Sequence, residues 1–312
     1  MTILKTLRLA SRKSLLAEWQ TLNVKNQILR FFPDLRVEVV YCSTKGDEVL
    51  DRPLAEIGGK GLFIKTLEEA LLKGEADIAV HSLKDVPSQL SPEFSLMAYV
   101  ERENPLDVFL SKNFDDFSHL PLGAKVGTCS PRRTAQLKRL RPDLNIVLLR
   151  GNVPTRIQKI LSGEMDAGIL AYAGLHRLGL LEHVKAIFPA ELLLPAPGQG
   201  MIAVECLASR EQEFAFLSQV LNNPQVQKMA VAERSFSARL EGDCYSPIAA
   251  LAERDRDQFT LKGAVLSRDG VEKFQGSKTI LLAQDLSVFA ELGVGLAEDL
   301  LKQGAGEVLK CH

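Results

Sequence analysis

Several short segments of the chain combine cations, hydroxyls and helix-start residues in an order suited to holding anions. In Gly127-Thr128-Cys129-Ser130-Pro131-Arg132-Arg133, Ser130 suits a helix N-cap and Pro131 the first helical position. Arg132 and Arg133 then fall in the first turn, where the helix dipole disfavours cations. An anion there relieves the conflict, and free backbone N–H groups, a hydroxyl and two guanidiniums could hold it. A solvent-facing basic turn is the alternative reading. The construction recurs in Leu148-Leu149-Arg150-Gly151-Asn152-Val153-Pro154-Thr155-Arg156: Arg150 ends a strand, Gly151 lets backbone approach closely, and Arg156 sits in the opening turn of a helix. Two receptors of this kind imply a ligand with several negative charges. Arg12 and Ser14 after the first strand, Lys60 in a Gly-rich segment and Arg177 after a later strand add groups at comparable positions. Taken singly, such cations are ordinarily solvated surface charges; the argument rests on their shared placement.

Two further segments carry reactive types. His81-Ser82-Leu83-Lys84-Asp85-Val86-Pro87 follows an apolar strand, so Lys84 and Asp85 emerge at a strand end. As a loop ion pair they are worth about 0–1 kcal/mol. An Asp held beside cations stays ionised and can exchange a proton with a leaving amine or balance a cationic intermediate. His81 reads as a packed or backbone-bonded histidine rather than a base or ligand. Leu240-Glu241-Gly242-Asp243-Cys244-Tyr245-Ser246-Pro247 is a Gly-containing loop after a helix. A lone cysteine in such a loop is ordinarily a small, partly buried residue, whereas facing a basic cleft its thiolate is favoured and nucleophilic. Periodicity does not decide between the two.

Composition narrows the classes. Five cysteines among 312 residues, without a CxxC pair, argue against a disulfide framework and against a thiolate zinc site; no metal is expected. A net charge of -1 advertises no nucleic-acid surface. The N-terminus lacks an apolar signal region and no window reaches eighteen apolar residues, so the expectation is a cytoplasmic protein with no membrane partner.

The elements that must position these groups alternate. Thr6–Ala10 reads as a strand, followed by a helix with Leu15, Trp19, Leu22 and Leu29 on one face; Arg36–Tyr41 is a strand, and Phe63, Leu67, Ala70 and Leu71 mark the next helix. Ile78–His81 is a buried strand. From Asn104-Pro105 the pattern restarts, with strands near Lys125–Val126, Ile146–Leu149 and Ala167–Ala171, and helices over 131–140 and 153–161. Pro195-Ala196-Pro197-Gly198-Gln199-Gly200 is a breaker cluster that reads as a hinged crossing back to the first domain. A helix through Val226, Met229, Phe236 and Leu240, strands near 259–266 and 278–282 and a helix over 286–301 complete a small α+β domain. The expected fold class is α/β: two α/β domains with a hinge, plus a small α+β C-terminal domain. The expected domains are 1–101 with 199–220, then 102–198, then 221–312. Two such halves place a ligand where strand ends meet helix N-termini.

The segments HSLKDVP, GTCSPRR, LRGNVPTR, LPAPGQG and LEGDCYSPI, in this order and at these separations, resemble the motif series of the porphobilinogen deaminase family, and the similarity runs over essentially the whole chain. The resemblance implies first and second domains folded like periplasmic binding proteins and a third carrying the cysteine. It implies a transferase that condenses four porphobilinogen molecules head to tail, with loss of ammonia, into hydroxymethylbilane. Cys244 would hold a dipyrromethane cofactor through a thioether. Asp85, aided by Lys84, would be the general acid and base. Lys84, Asp85, Thr128, Ser130, Arg132, Arg133 and Arg150 would line the cofactor, and Arg12, Ser14, Arg150, Arg156, Arg177 and Gln199 the substrate. Lys60 and Phe63 would edge an active-site loop over roughly Thr44–Gly58. Asp243 stands where the family more usually has glycine, and a carboxylate beside the thiol raises its pKa. The implied enzyme is a monomer acting on a small molecule. The rival class is a non-catalytic two-domain small-anion binding protein, which has no use for Cys244; a ligand-sensing regulator lacks any helix-turn-helix or basic arm in this sequence.

Overall fold

The structure, a computed structural model, describes residues 5–43, 64–242, 246–283 and 285–310. Its first part runs β1 (Thr6–Arg12), α1 (Leu15–Phe31), β2 (Arg36–Cys42), α2 (Lys65–Leu72), β3 (Ile78–Ser82), a 3₁₀ turn Leu83–Asp85 and β4 (Phe94–Arg102). There follow β5 (Asp107–Ser111), β6 (Lys125–Gly127), α3 (Pro131–Leu140), β7 (Asn145–Val147), α4 (Val153–Leu161), β8 (Ala167–Ala171), α5 (Tyr172–Arg177) and β9 (Ala186–Ile187). Then come β10 (Met201–Leu207), α6 (Ala215–Leu221), α7 (Pro224–Arg239), β11 (Ile248–Asp255), β12 (Gln258–Leu266), β13 (Lys273–Leu281), α8 (Leu286–Lys302) and α9 (Ala305–Lys310). The chain divides into two compact units, 1–103 with 200–227, and 104–199 with 228–312.

Unit one is built on a five-stranded sheet in the order β2-β1-β3-β10-β4. β1 pairs in parallel with β2 and β3, while β10 runs antiparallel between β3 and β4. Alternation along the strands feeds two cores. Leu7, Leu9, Ile78, Val80, Ile202 and Val204 pack with Val24 and Ile28 of α1 and Leu217 of α6; Ala10 and Ala79 pack on Leu67, Ala70 and Leu71 of α2. β10 is the strand that follows the Pro195–Gly200 segment.

Unit two contains both remaining sheets. The five-stranded one has the order β7-β6-β8-β5-β9, with β6 parallel to β7 and β8, and β5 antiparallel to β8 and β9. The three-stranded one, β11-β12-β13, is an antiparallel meander that shares a core with α7, α8 and α9 through Phe236, Phe289, Leu296 and Val308. Ala135 of α3 and Leu194 share a core with Leu251 of β11 and Leu266 of β12, joining the two sheets of this unit. A Cβ on Gly270 would meet the Ala135 carbonyl oxygen at 2.2 Å, so that contact is as close as backbone allows.

The helices expected over 131–140 and 153–161 form with those bounds, and their caps explain why. Ser130 Oγ accepts from Arg133 N at 3.4 Å with Pro131 opening the helix, and Asn152 Oδ1 accepts from Thr155 N at 2.9 Å. The strand expected over 146–149 is instead Asn145–Val147, which leaves Arg150 beyond the strand rather than ending it.

Candidate functional site

Unit two resolves the dipole conflict at α3 internally. Asp107, the first residue of β5 and fully buried, lies against both arginines. Its Oδ2 accepts from Arg132 Nη2 at 2.7 Å; its Oδ1 accepts from Arg133 Nη2 at 2.7 Å, Arg133 Nε at 3.1 Å and Gln199 Nε2 at 2.9 Å. Two further guanidinium donors reach main-chain carbonyls, Arg132 Nη1 to Leu194 O at 2.7 Å and Arg133 Nη1 to Ile169 O at 3.0 Å. Burial opposes the charge on Asp107, but the two guanidiniums prevail and hold its carboxyl well below the usual carboxylate range. Asp107 was not singled out from the sequence. Its signal was an acidic residue heading the apolar run Val108-Phe109-Leu110, where an unpaired carboxylate has no reason to be.

Two guanidiniums against one carboxylate leave an excess positive charge in a buried setting. Arg132 Nε, buried, has no hydrogen-bond partner among the described residues. Beside this group, Thr128 is buried and its Oγ1 accepts from Ser130 N at 3.2 Å, while Ser130 is half-buried at the helix start. Arg150 and Arg177 are also buried, the latter at the end of α5. Arg156 turns its Nε to the Gly151 carbonyl at 2.6 Å, inside its own motif. Gly151 itself sits at φ +116°, a conformation side-chain-bearing residues rarely adopt. Gln199, besides Asp107, donates to Pro105 O at 2.6 Å.

Unit one carries the other expected groups. Across Val80–Val86, Asp85 alone is exposed; Lys84 is half-buried, and Leu83 and Val86 anchor the turn from below. His81 is packed, as expected, but its Nε2 lies 2.9 Å from Glu205 Oε2 on β10, a side-chain partner rather than the backbone. Ser14 caps α1, its Oγ accepting from Ala17 N at 3.3 Å, with the half-buried Arg12 two residues earlier at the end of β1. Lys60, Phe63, the loop over Thr44–Gly58 and Cys244 with its neighbours Asp243 and Tyr245 lie outside the described residues. Their flank is described: α7 closes with Glu241 at φ +54° and Gly242 N bonded to Ser237 O at 2.9 Å, and β11 begins at Ile248.

Among the described residues no group of His, Cys, Asp and Glu is arranged to hold a metal ion, and no helix is long and apolar enough to cross a membrane.

Fold and site together define an α/β chain with buried arginines at one helix start, beyond a strand and at one helix end, suited to an organic polyacid, and an exposed aspartate on a short turn. Residues 7–214 match the family model "Porphobilinogen deaminase, dipyromethane cofactor binding domain", and residues 228–302 match "Porphobilinogen deaminase, C-terminal domain". The chain belongs to the porphobilinogen deaminase family: it is a tetrapyrrole-forming transferase with a dipyrromethane cofactor. Among solved structures, it is similar to a putative methionine-binding lipoprotein from Bacillus subtilis, at 13% identity over 72% of this chain and 92% of that one, TM-score 0.44. A periplasmic substrate-binding protein of an ABC transporter from Coxiella burnetii matches at 15% identity over 73% and 96%, TM-score 0.45.

The residues fit a dipyrromethane. That group carries acetate and propionate carboxylates, and the excess charge around Asp107 with the unpartnered Arg132 Nε is a donor set for a carboxylate.

Proposed function

We propose that this chain forms hydroxymethylbilane from porphobilinogen, with its cofactor on the thiol of Cys244, and that it acts as a cytoplasmic monomer with the working domains 1–101 with 199–220, 102–198 and 221–312. The observation that carries the reading is the buried arginine pair whose charge exceeds that of Asp107 by one. Every pyrrole of the product brings carboxylates, and charge-assisted hydrogen bonds of about 1.5–3 kcal/mol each hold them without a metal. Thr128, Ser130, Arg132, Arg133 and Arg150 would hold the cofactor carboxylates, and Arg12, Ser14, Arg156, Arg177 and Gln199 those of incoming substrate and growing chain. When bound, the dipyrromethane supplies the terminal pyrrole carbon to which the first porphobilinogen is joined.

Asp85 protonates the amine that departs as ammonia, balances the positive charge that develops on the substrate, and takes up the proton released by the acceptor pyrrole. Its exposure and its place on a turn backed by Leu83 and Val86 suit a group that meets successive substrates. Of the described thiols, burial pushes Cys42 up and carries Cys206 up to about 12, which disfavours the thiolate at both; Cys129 is half-buried and is the competing candidate. The test is turnover of porphobilinogen with ammonia and tetrapyrrole both measured. The parent should release one ammonia for each porphobilinogen consumed. Asp85→Asn should keep fold and bound cofactor while kcat falls about 10²–10⁴-fold; near-normal turnover removes Asp85 from the chemistry.

A further inference from the structure

The turn that presents Asp85 is held by polar pairs on both faces of β3. His81 and Ser82 are consecutive strand residues and so point to opposite sides of the sheet. On the α2 side, His81 meets Glu205 of β10 at 2.9 Å, both side chains buried. On the α1 side, Ser82 Oγ accepts from Gln20 Nε2 at 2.8 Å, with Gln20 2% exposed. The register supports both, since Ala203 lies opposite His81 and Ile202 opposite Ser82.

Such pairs are costly in a sheet interior. A buried ion pair replaced by apolar residues of similar volume is often neutral or stabilising. The buried His81–Glu205 hydrogen bond is incompletely satisfied as well, because among the described residues Glu205 Oε1 has no hydrogen-bond partner. A further carboxyl faces it from α2: burial, then the charge of Glu205, push Glu68 up, while His81 and Lys65 act the other way and Glu93 adds to the rise. The stability of the sheet does not call for this arrangement at the residue where strand passes into turn. Orientation does, since side chains fixed by a directional bond cannot slide as an apolar contact can.

We propose that Glu205, through its bond to His81, is a positioning residue for Lys84 and Asp85, fixing the strand end from which their turn departs, with Gln20 and Ser82 as the opposite brace. This rests on the reading of Asp85 as the reacting carboxylate. The pair touches no substrate; it sets the direction of a turn three residues long.

The experiment compares Glu205→Leu, Glu205→Gln and the double variant His81→Leu with Glu205→Leu, each as purified, cofactor-loaded full chain, with Asp85→Asn as reference. Turnover is expressed per cofactor-loaded molecule by intact mass, and thermal stability is measured alongside. A displacement of about 1 Å at a reacting group costs on the order of 10²-fold, so Glu205→Leu should lose about 10-fold or more in kcat with KM within about twofold. Glu205→Gln, which keeps an acceptor for His81, should recover most of it. The double variant decides if Glu205→Leu does not fold: removing both partners restores stability, and the proposal requires kcat to stay low. Turnover returning with stability in the double variant, or Glu205→Leu turning over within about twofold of the parent, overturns it. If Asp85→Asn is itself active, the parent reading has failed instead.

Discussion

Replacing Asp107 by asparagine changes one atom type and removes the sole countercharge bonded to Arg132 and Arg133 among the described residues. Whichever way the amide turns, it cannot satisfy the site. With its oxygen at the Oδ1 position it keeps the three bonds from Arg133 and Gln199, but its NH2 then faces Arg132 Nη2, formerly at 2.7 Å, donor against donor. Turned the other way it keeps one bond and opposes three. Two buried guanidiniums are left uncompensated, and breaking such a pair costs about 3–5 kcal/mol. At about 2–4 °C per kcal/mol for a unit of this size, Tm should fall on the order of 10 °C. Pairing Asp107→Asn with Arg133→Met removes one surplus charge and should recover part of the loss. The pH dependence has a definite sign. Asp107 has its carboxyl held down in the folded state, so its contribution is complete above the unfolded value of roughly 3.9 and is lost as pH falls towards the lower folded value. Parent and variant should therefore differ by a constant amount from neutral pH down to about 4 and converge only in stronger acid. Chemical denaturation followed by circular dichroism across that range is the assay. A difference under about 1 kcal/mol at neutral pH, or convergence already above pH 5, would refute the assignment of Asp107 as the buried countercharge.

Two substitutions probe the supports of the site. Gly151→Ala places a Cβ 2.9 Å from Thr155 Cγ2 at φ +116° and should cost about 1–3 kcal/mol, read by thermal unfolding; an unchanged Tm would show that the Arg150–Arg156 motif tolerates another backbone course. Glu233 of α7, fully buried, accepts from Gly198 N and Ala252 N, each at 2.7 Å, and so ties the Pro195–Gly200 segment to β11. Glu233→Gln leaves one of those N–H groups facing an NH2 and should cost about 1–3 kcal/mol, with proteolysis at 195–200 accelerated; equal proteolysis rates would deny the tie.

Local signals were legible in the sequence where the physics is local. Ser130 and Pro131 announced α3, because caps are written within a few residues, and α4 formed over the 153–161 read for it. The strands β4, β5 and β10 were not assigned, since short apolar runs such as Met201–Leu207 carry no period and owe their pairing to residues far along the chain. Reading the sheets as simple βαβ series also missed that β10 and β5 run antiparallel to their neighbours. The same distance hid the site's internal partner. Arg132 and Arg133 were visible as cations at a helix start, but Asp107 lies 25 and 26 residues away and Glu205 lies 124 from His81. The misfit of cations at a positive helix end was readable; what answers it required the fold.

The most direct test of the whole account is the intact mass of the purified, active protein. It should exceed the sequence mass by one dipyrromethane, the excess should vanish in Cys244→Ala, and it should persist in Cys129→Ser. A bare sequence mass in active protein, or an adduct that follows Cys129 instead, would contradict the claim that this chain builds its product on a cofactor tethered at Cys244.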